Sequence, residues 1–167
     1  MKPTRGTARG LPRDDPQSSD QAANDDPYYA AARPPEPTRC PSCGALFTAG
    51  RWTWNTAPED AHELTCPACQ RIGDGFPAGY VTLKGEFTGK LRDEIVALVT
   101  AQEQKQKAEN PLRRVMAIAE VKGGLEVTTT DSYLARGIGE ALYDAYKGDL
   151  KLRYSRDENL LRATWKK

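Results

Sequence analysis

The sequence predicts an α+β protein in which a small cysteine-rich module precedes a two-layer α+β domain. Three observations lead to this fold class: two Cys-x-x-Cys motifs, a start poor in apolar residues, and helix and hairpin patterns that alternate after residue 80. They divide the chain into a disordered tail at 1–36, the cysteine-rich module at 37–79 and the α+β domain at 80–167.

The tail consists mostly of Pro, Asp, Arg, Gly, Ser and Ala. Such a segment cannot bury enough apolar surface to offset the entropy lost on ordering, so it is predicted to be disordered. Tyr28 and Tyr29 form an aromatic pair within it. The pair is either a docking point for a partner or an exposed pair in a solvated tail.

The four cysteines fall into two pairs, Cys40 with Cys43 and Cys66 with Cys69, separated by 22 residues. Two residues between thiolates let a tight turn direct both sulfurs to one point, and two such turns complete a tetrahedron. The spacing therefore predicts a zinc ribbon that holds one structural zinc ion. Four thiolates close the coordination sphere and leave no open position for a catalytic water.

Two other uses of the cysteines stay open. A thioredoxin-like redox pair needs a βαβ context and one motif at a helix start, whereas each motif here adjoins predicted short strands at 44–48, 51–55 and 62–65. An iron–sulfur cluster also takes four cysteines, but a hairpin between the motifs favours a ribbon. His62 is a weaker candidate ligand, because a lone histidine is more often a surface residue or a residue that lies beside the metal ligands.

The α+β domain is predicted to follow a helix-hairpin-helix-hairpin order, which packs antiparallel strands under helices on one face. Gly123 and Gly124 supply the positive φ angles of a tight turn, and Thr130 or Asp131 caps the second helix. The predicted elements are a strand at 80–83, a helix at 89–107, strands at 115–121 and 125–129, a helix at 132–146, and strands at 150–154 and 160–165.

Composition excludes several classes of function. The 167 residues have a mean hydropathy of -0.69, and no apolar run approaches the roughly 20 residues of a membrane span. The first ten residues lack the apolar region of a secretory signal, so a cytoplasmic location without a membrane partner is expected. No phosphate loop, catalytic triad or paired-carboxylate site is visible, so neither catalysis nor a small-molecule substrate is expected.

Two sets of residues are candidate RNA contacts. Interleaved Arg and Trp side chains can stack on unpaired bases and contact phosphates, and they can equally pack the ribbon against its neighbour. Basic residues at alternate positions of the last hairpin can contact phosphates or can protect a sheet edge. The candidates are Arg51, Trp52, Trp54 and Arg71 in the ribbon, and Lys151, Arg153 and Arg162 in the hairpin.

Five short motifs stand out along the chain: Cys40–Gly44, Gly50–Trp54, Cys66–Ile72, Pro77–Gly79 and Thr129–Arg136. Together they resemble a small, uncharacterised family of bacterial zinc-ribbon proteins, over about residues 27–165. More remotely, the chain is similar to the N-terminal part of the archaeal and eukaryotic adaptor for nonsense-mediated decay and export of the large ribosomal subunit. That adaptor has more Cys-x-x-Cys pairs, so a second metal site is not implied.

The resemblance implies association with RNA or a ribosomal particle, with the four cysteines as metal ligands and no catalytic residue. The leading hypothesis is therefore a zinc-ribbon protein that binds RNA. The second is a protein-interaction adaptor in which the ribbon and the tail dock a protein partner.

Overall fold

The computed structural model describes Tyr28 and residues 33–167 of the chain. Within these residues, three helices and two sheets confirm the predicted α+β class. The predicted disordered tail lies largely outside the described residues. None of the described helices has the combination of length and apolar character needed to cross a membrane.

The ribbon is built from very short strands. Strand β1 pairs antiparallel with β2 and parallel with β4, and β2 pairs antiparallel with β3, so that the sheet order is β3-β2-β1-β4. A helix, α1, follows the sheet. The elements are β1 Thr38–Arg39, β2 Leu46–Thr48, β3 Arg51–Thr53, β4 His62–Glu63 and α1 Pro67–Asp74.

Helix α1 is the main departure from the sequence prediction, which placed only short strands around the cysteine motifs. Cys66 is the N-cap residue, and its sulfur accepts a hydrogen bond from the backbone N–H of Cys69 at 3.4 Å. Pro67 stands at the helix start, where the missing N–H costs nothing. Gly75 ends the helix in the left-handed conformation at φ 64°. The second Cys-x-x-Cys motif is therefore a helix start, not a loop turn.

The α+β domain contains a five-stranded sheet in the order β6-β7-β5-β9-β8. Strands β5 and β9 are parallel, and the other neighbouring pairs are antiparallel. The elements are β5 Gly79–Lys84, α2 Gly89–Glu109, β6 Val115–Val121, β7 Gly124–Thr129, α3 Ser132–Tyr146, β8 Asp149–Ser155 and β9 Leu160–Lys166.

The cap and the apolar positions of α3 explain where this helix begins and how it packs on the sheet. The carboxylate of Asp131 accepts the backbone N–H of Leu134 at 3.0 Å, which makes Asp131, of the two predicted candidates, the cap. Leu134, Ile138 and Leu142 recur at helical spacing and are fully buried. The helix thus presents one apolar stripe to the sheet.

The two faces of the sheet differ sharply. On the inner face, Val81, Leu83, Val127 and Trp165 pack with the buried residues of α2 and α3 into one core. The alternate strand positions form the outer face, because successive side chains of a strand point to opposite sides. In the described part of the chain both α2 and α3 lie on the inner side, so the domain has two layers.

Candidate metal centre

The first Cys-x-x-Cys motif forms a tight turn after β1. The backbone N–H of Cys40 donates to the carbonyl of Ala45 at 2.8 Å, and that of Gly44 donates to the carbonyl of Cys40 at 2.9 Å. Gly44 has φ 82°, a left-handed conformation that favours glycine. The turn buries Cys40 completely and leaves Cys43 partly exposed.

The second motif approaches the first through a backbone contact. The N–H of Cys66 donates to the sulfur of Cys40 at 3.3 Å, and the N–H of Cys69 donates to the sulfur of Cys66. Backbone donors of this kind stabilise negative charge on sulfur. These donors favour the thiolate of Cys40, whose pKa is lowered, whereas burial outweighs the single donor to Cys66 and raises the pKa of that thiol.

The four sulfur atoms lie within 4.8 Å of one another, and Cys43 Sγ is 3.7 Å from Cys66 Sγ. Four ligands at the usual zinc–sulfur length of about 2.3 Å stand about 3.8 Å apart in a tetrahedron, whereas a disulfide needs about 2.05 Å. All four cysteines are free. Cys40, Cys43, Cys66 and Cys69 can therefore hold a metal ion. His62 is on the exposed strand β4 and is not part of this cluster.

The structure meets only one of the two requirements of a thioredoxin-like redox pair. Cys66 at the start of α1 meets one requirement of a thioredoxin-like pair, contrary to the sequence prediction. The second requirement is not met, because α1 connects two different sheets and does not join parallel strands of one sheet. Two converging pairs also differ from a single redox-active pair, so the arrangement fits metal binding better.

The pKa values of the thiols are set by two opposing effects. Burial raises the pKa of Cys40, but hydrogen bonds from the backbone of Cys66, Cys43 and Ser42 outweigh it and lower the value to about 7. Burial raises the pKa of Cys43 and of Cys66 above the ordinary thiol range. A metal ion must displace the protons of Cys43 and Cys66, so the affinity of the site for metal falls as the pH falls.

Arg114 is a part of the centre that sequence reasoning missed. Its Nη2 donates to Cys66 Sγ and to Cys69 Sγ, both at 3.1 Å, and the residue is only 9% exposed. Burial lowers the pKa of Arg114, but the hydrogen bond to Cys69 and the charge of the thiolates raise it above its ordinary value. A buried cation requires a nearby anion, and a tetrathiolate site around a divalent ion is negatively charged.

The sequence gives little warning of this role. Arg114 comes 45 residues after Cys69 and beside a second arginine, Arg113, whose side chain pairs with Asp131 at 3.7 Å. Two adjacent residues leading into a strand point in opposite directions, but only the packing of the ribbon decides which of them meets the cysteines.

The segment that carries Arg114 attaches the ribbon to the α+β domain. Leu112 is 4% exposed and packs in the ribbon core with Phe47 and Trp52. The hydroxyl of Thr130 accepts the N–H of Arg114 at 2.9 Å and donates to the carbonyl of Leu112 at 2.7 Å. This segment therefore places an apolar and a charged side chain of the domain inside the ribbon.

Two predicted RNA contacts are buried. Trp52 is 8% exposed, with its ring centroid 5.5 Å from that of Phe47, because the middle residue of β3 faces the ribbon core. Arg71 is 2% exposed; its Nη1 donates to the carbonyl of Phe76 at 3.0 Å, and its guanidinium lies 4.4 Å from the centre of the Tyr28 ring. Both residues pack the ribbon and do not form an exposed surface.

The other predicted contacts lie on the surface but not on one sheet. Arg51 is exposed, and Trp54 is 39% exposed while its Nε1–H donates to the carbonyl of Lys107 in α2 at 2.6 Å. Trp54 thus packs the ribbon against its neighbour, the structural role that the sequence left open. Lys151, Arg153 and Arg162 are exposed on the outer face of the five-stranded sheet.

Comparison of the chain with protein-family models, curated proteins and solved structures finds no match. The resemblance to bacterial zinc-ribbon proteins therefore stays a prediction from the motifs. The candidate site rests on the geometry of the four sulfurs and Arg114.

Replacing Cys66 by serine should abolish stoichiometric metal binding. Cys66 is both a candidate ligand and the cap of α1, so its loss should also unfold the ribbon and change the near-ultraviolet circular dichroism of Trp52. Metal content per chain, measured by mass spectrometry, checks the first effect. Ser42→Ala, an exposed change within the first motif, is the matched control. A Cys66→Ser protein with a full complement of metal contradicts the assignment.

Replacing Arg114 by methionine should weaken metal retention about 10- to 100-fold, the usual cost of losing a group that supports metal ligands. The change leaves a similar volume but no charge beside Cys66 and Cys69, and Arg114→Lys should be intermediate. Chelator competition on the metal-loaded protein measures the effect. Arg113→Met removes the neighbouring arginine and should leave retention unchanged; equal retention in Arg114→Met would show that the contact has no role at the centre.

Proposed function

We propose that this chain is a non-catalytic, zinc-containing RNA-binding protein whose α+β sheet carries the main RNA contacts. The observation that supports it is the charge of the outer face. Five exposed basic side chains lie there against two acidic ones, Glu126 and Asp149. Phosphates are the natural counter-charge for such a face. The basic residues are Lys84, Lys151, Arg153, Arg162 and Lys166.

Zinc is the ion that we propose for the centre. Four thiolates in a closed tetrahedral arrangement are a common structural zinc site, and they leave no position for a reacting water. An iron–sulfur cluster needs space for its inorganic sulfides between the cysteines, whereas these sulfurs all lie within 4.8 Å of one another. In the proposed role, zinc orders the ribbon and takes no part in a reaction.

Protection of a sheet edge does not explain the outer face. Charged side chains on an edge strand prevent pairing with another chain, which accounts for Lys151 and Arg153 on β8. Lys84, Arg162 and Lys166 lie on β5 and β9, which have neighbours on both sides. Edge protection gives no reason for Arg162, which lies within β9, while Lys84 and Lys166 are the last residues of their interior strands.

Like charges also face each other across neighbouring strands. Arg153 is directly opposite Arg162, and Lys84 is directly opposite Lys166. Like charges directly opposite each other destabilise a sheet. Glu158 is 3.9 Å from Arg162, but this exposed pair offsets little of the repulsion. Asp149 of β8 lies opposite Lys166 on its other side and offsets part of the repulsion between the two lysines. An anionic ligand would relieve the pair of Arg153 and Arg162, which supports binding at this face.

A ribosomal particle is the form of RNA that the motif resemblance suggests. The adaptor hypothesis is the second candidate, favoured by two half-exposed apolar side chains of the ribbon, Ile72 at 44% and Phe76 at 52%. Co-purification before and after nuclease treatment separates the two functions. An RNA-binding protein loses its partners when the RNA is digested, whereas an adaptor keeps them.

Replacing Lys151 and Arg153 together by glutamine should weaken binding to single-stranded RNA and reduce its salt dependence. Each lost phosphate contact lowers the slope of log affinity against log salt by about 0.7. Filter binding over a series of salt concentrations measures it. Lys90→Gln with Lys105→Gln removes the same charge from exposed positions of α2 and should leave the slope unchanged. Affinity that is independent of salt, or equal loss in both variants, contradicts this surface.

A further inference from the structure

We infer that the outer face of the five-stranded sheet is a stacking platform for unpaired bases, centred on Tyr80, and that it selects single-stranded over duplex RNA. The inference rests on the proposed RNA-binding function and deepens it by naming the kind of RNA and the residue that reads it. Sequence reasoning used Tyr80 only as the start of a strand.

Tyr80 occupies the centre of one cross-strand row. It lies on β5, the middle strand, directly opposite Thr128 of β7 on one side and Arg162 of β9 on the other. Arg153 of β8 follows Arg162 in the same row. The guanidinium carbon of Arg162 is 5.1 Å from the centre of the Tyr80 ring. The row thus combines an aromatic ring with two planar cations.

Apart from Arg162, the neighbours of Tyr80 on this face are small or of medium size. Thr82 is two residues along the same strand, with Glu126 and Thr164 opposite it, and Ala117 lies beyond Thr128 at the β6 edge. Side chains stand roughly perpendicular to a sheet, so a tyrosine among threonines and alanine rises above its surroundings. Its partly exposed ring is therefore placed to stack on a flat group from solution.

Only an unpaired base offers its flat face to such a ring. In a duplex the faces are stacked on one another and only the base edges and the backbone are exposed. Base–aromatic stacking adds affinity for any base, and planar guanidinium groups of arginine stack in the same way. The combination of Tyr80, Arg162 and Arg153 therefore favours single strands.

The charges of the outer face determine how a bound RNA strand lies across the sheet. Lys151, Arg153, Arg162 and Lys166 are on β8 and β9, with Asp149 opposite Lys166 at one corner, while the other acidic residue, Glu126, is on β7. The phosphate backbone is thus drawn over β8 and β9, with its bases turned towards Tyr80 on β5. Adjacent strands are about 4.8 Å apart, so a nucleotide on β9 can reach the ring.

The test compares a short single-stranded RNA with a hairpin duplex of the same composition, using fluorescence anisotropy on the full chain. The wild-type protein should prefer the single strand. Tyr80→Ala should weaken single-strand binding at least about fivefold and leave duplex binding nearly unchanged, whereas Tyr80→Phe should retain the preference. Tyr143→Ala is the matched control, because Tyr143 is 43% exposed on α3, on the helical side, and also has a lysine 5.7 Å from its ring.

The outcomes separate this inference from the proposed function. If the Lys151→Gln, Arg153→Gln variant loses affinity while Tyr80→Ala binds both RNAs as the wild type does, the platform is refuted and RNA binding stands. If the wild-type chain binds neither RNA, both fail. Should Tyr80→Ala not fold, ultraviolet crosslinking of the wild type decides: a crosslink at Tyr80 supports the platform, and crosslinks confined to the ribbon overturn it.

Discussion

The convergence of four sulfur atoms is the constraint on which the ribbon depends. Its strands are two or three residues long, and among the residues that the structure describes its core consists of seven buried residues, two of them cysteines. So small a core cannot offset the entropy of ordering the intervening loops by apolar burial alone. Four thiols within 4.8 Å would also repel one another once ionised. A cation bound by the four cysteines would remove both difficulties, and its bonds to sulfur would take the place of the missing core.

Arg114 connects the cluster of four sulfur atoms to the α+β domain. Its guanidinium meets the sulfurs of Cys66 and Cys69, while Leu112 fills the ribbon core from the same segment. The ribbon thus contacts the α+β domain at its candidate metal centre. The core of the α+β domain, in contrast, contains no cysteine. The proposed RNA surface therefore belongs to a domain that has its own apolar core, with the ribbon attached at the side.

Local patterns predicted individual elements of the α+β domain, but the expectation of antiparallel strands alone was wrong, because β5 pairs in parallel with β9. Hydrophobic periodicity and capping residues placed α3 at its observed bounds, and Gly123 and Gly124 marked the hairpin between β6 and β7. The spacing of the cysteines predicted the cluster that can hold a metal ion. What local patterns could not give is the packing between distant segments: the burial of Trp52 and Arg71, the approach of Arg114 and the grouping of basic residues from β5, β8 and β9 on one face. Local patterns did not predict α1, because a proline such as Pro67 is typical both of a turn and of a helix start.

The most direct test of the central claim is X-ray absorption spectroscopy at the zinc edge on the purified chain. We predict one zinc ion per chain with four sulfur ligands at about 2.3 Å and no nitrogen or oxygen ligand. A ligand shell that contains nitrogen or oxygen, or protein that folds without any metal, would contradict the account.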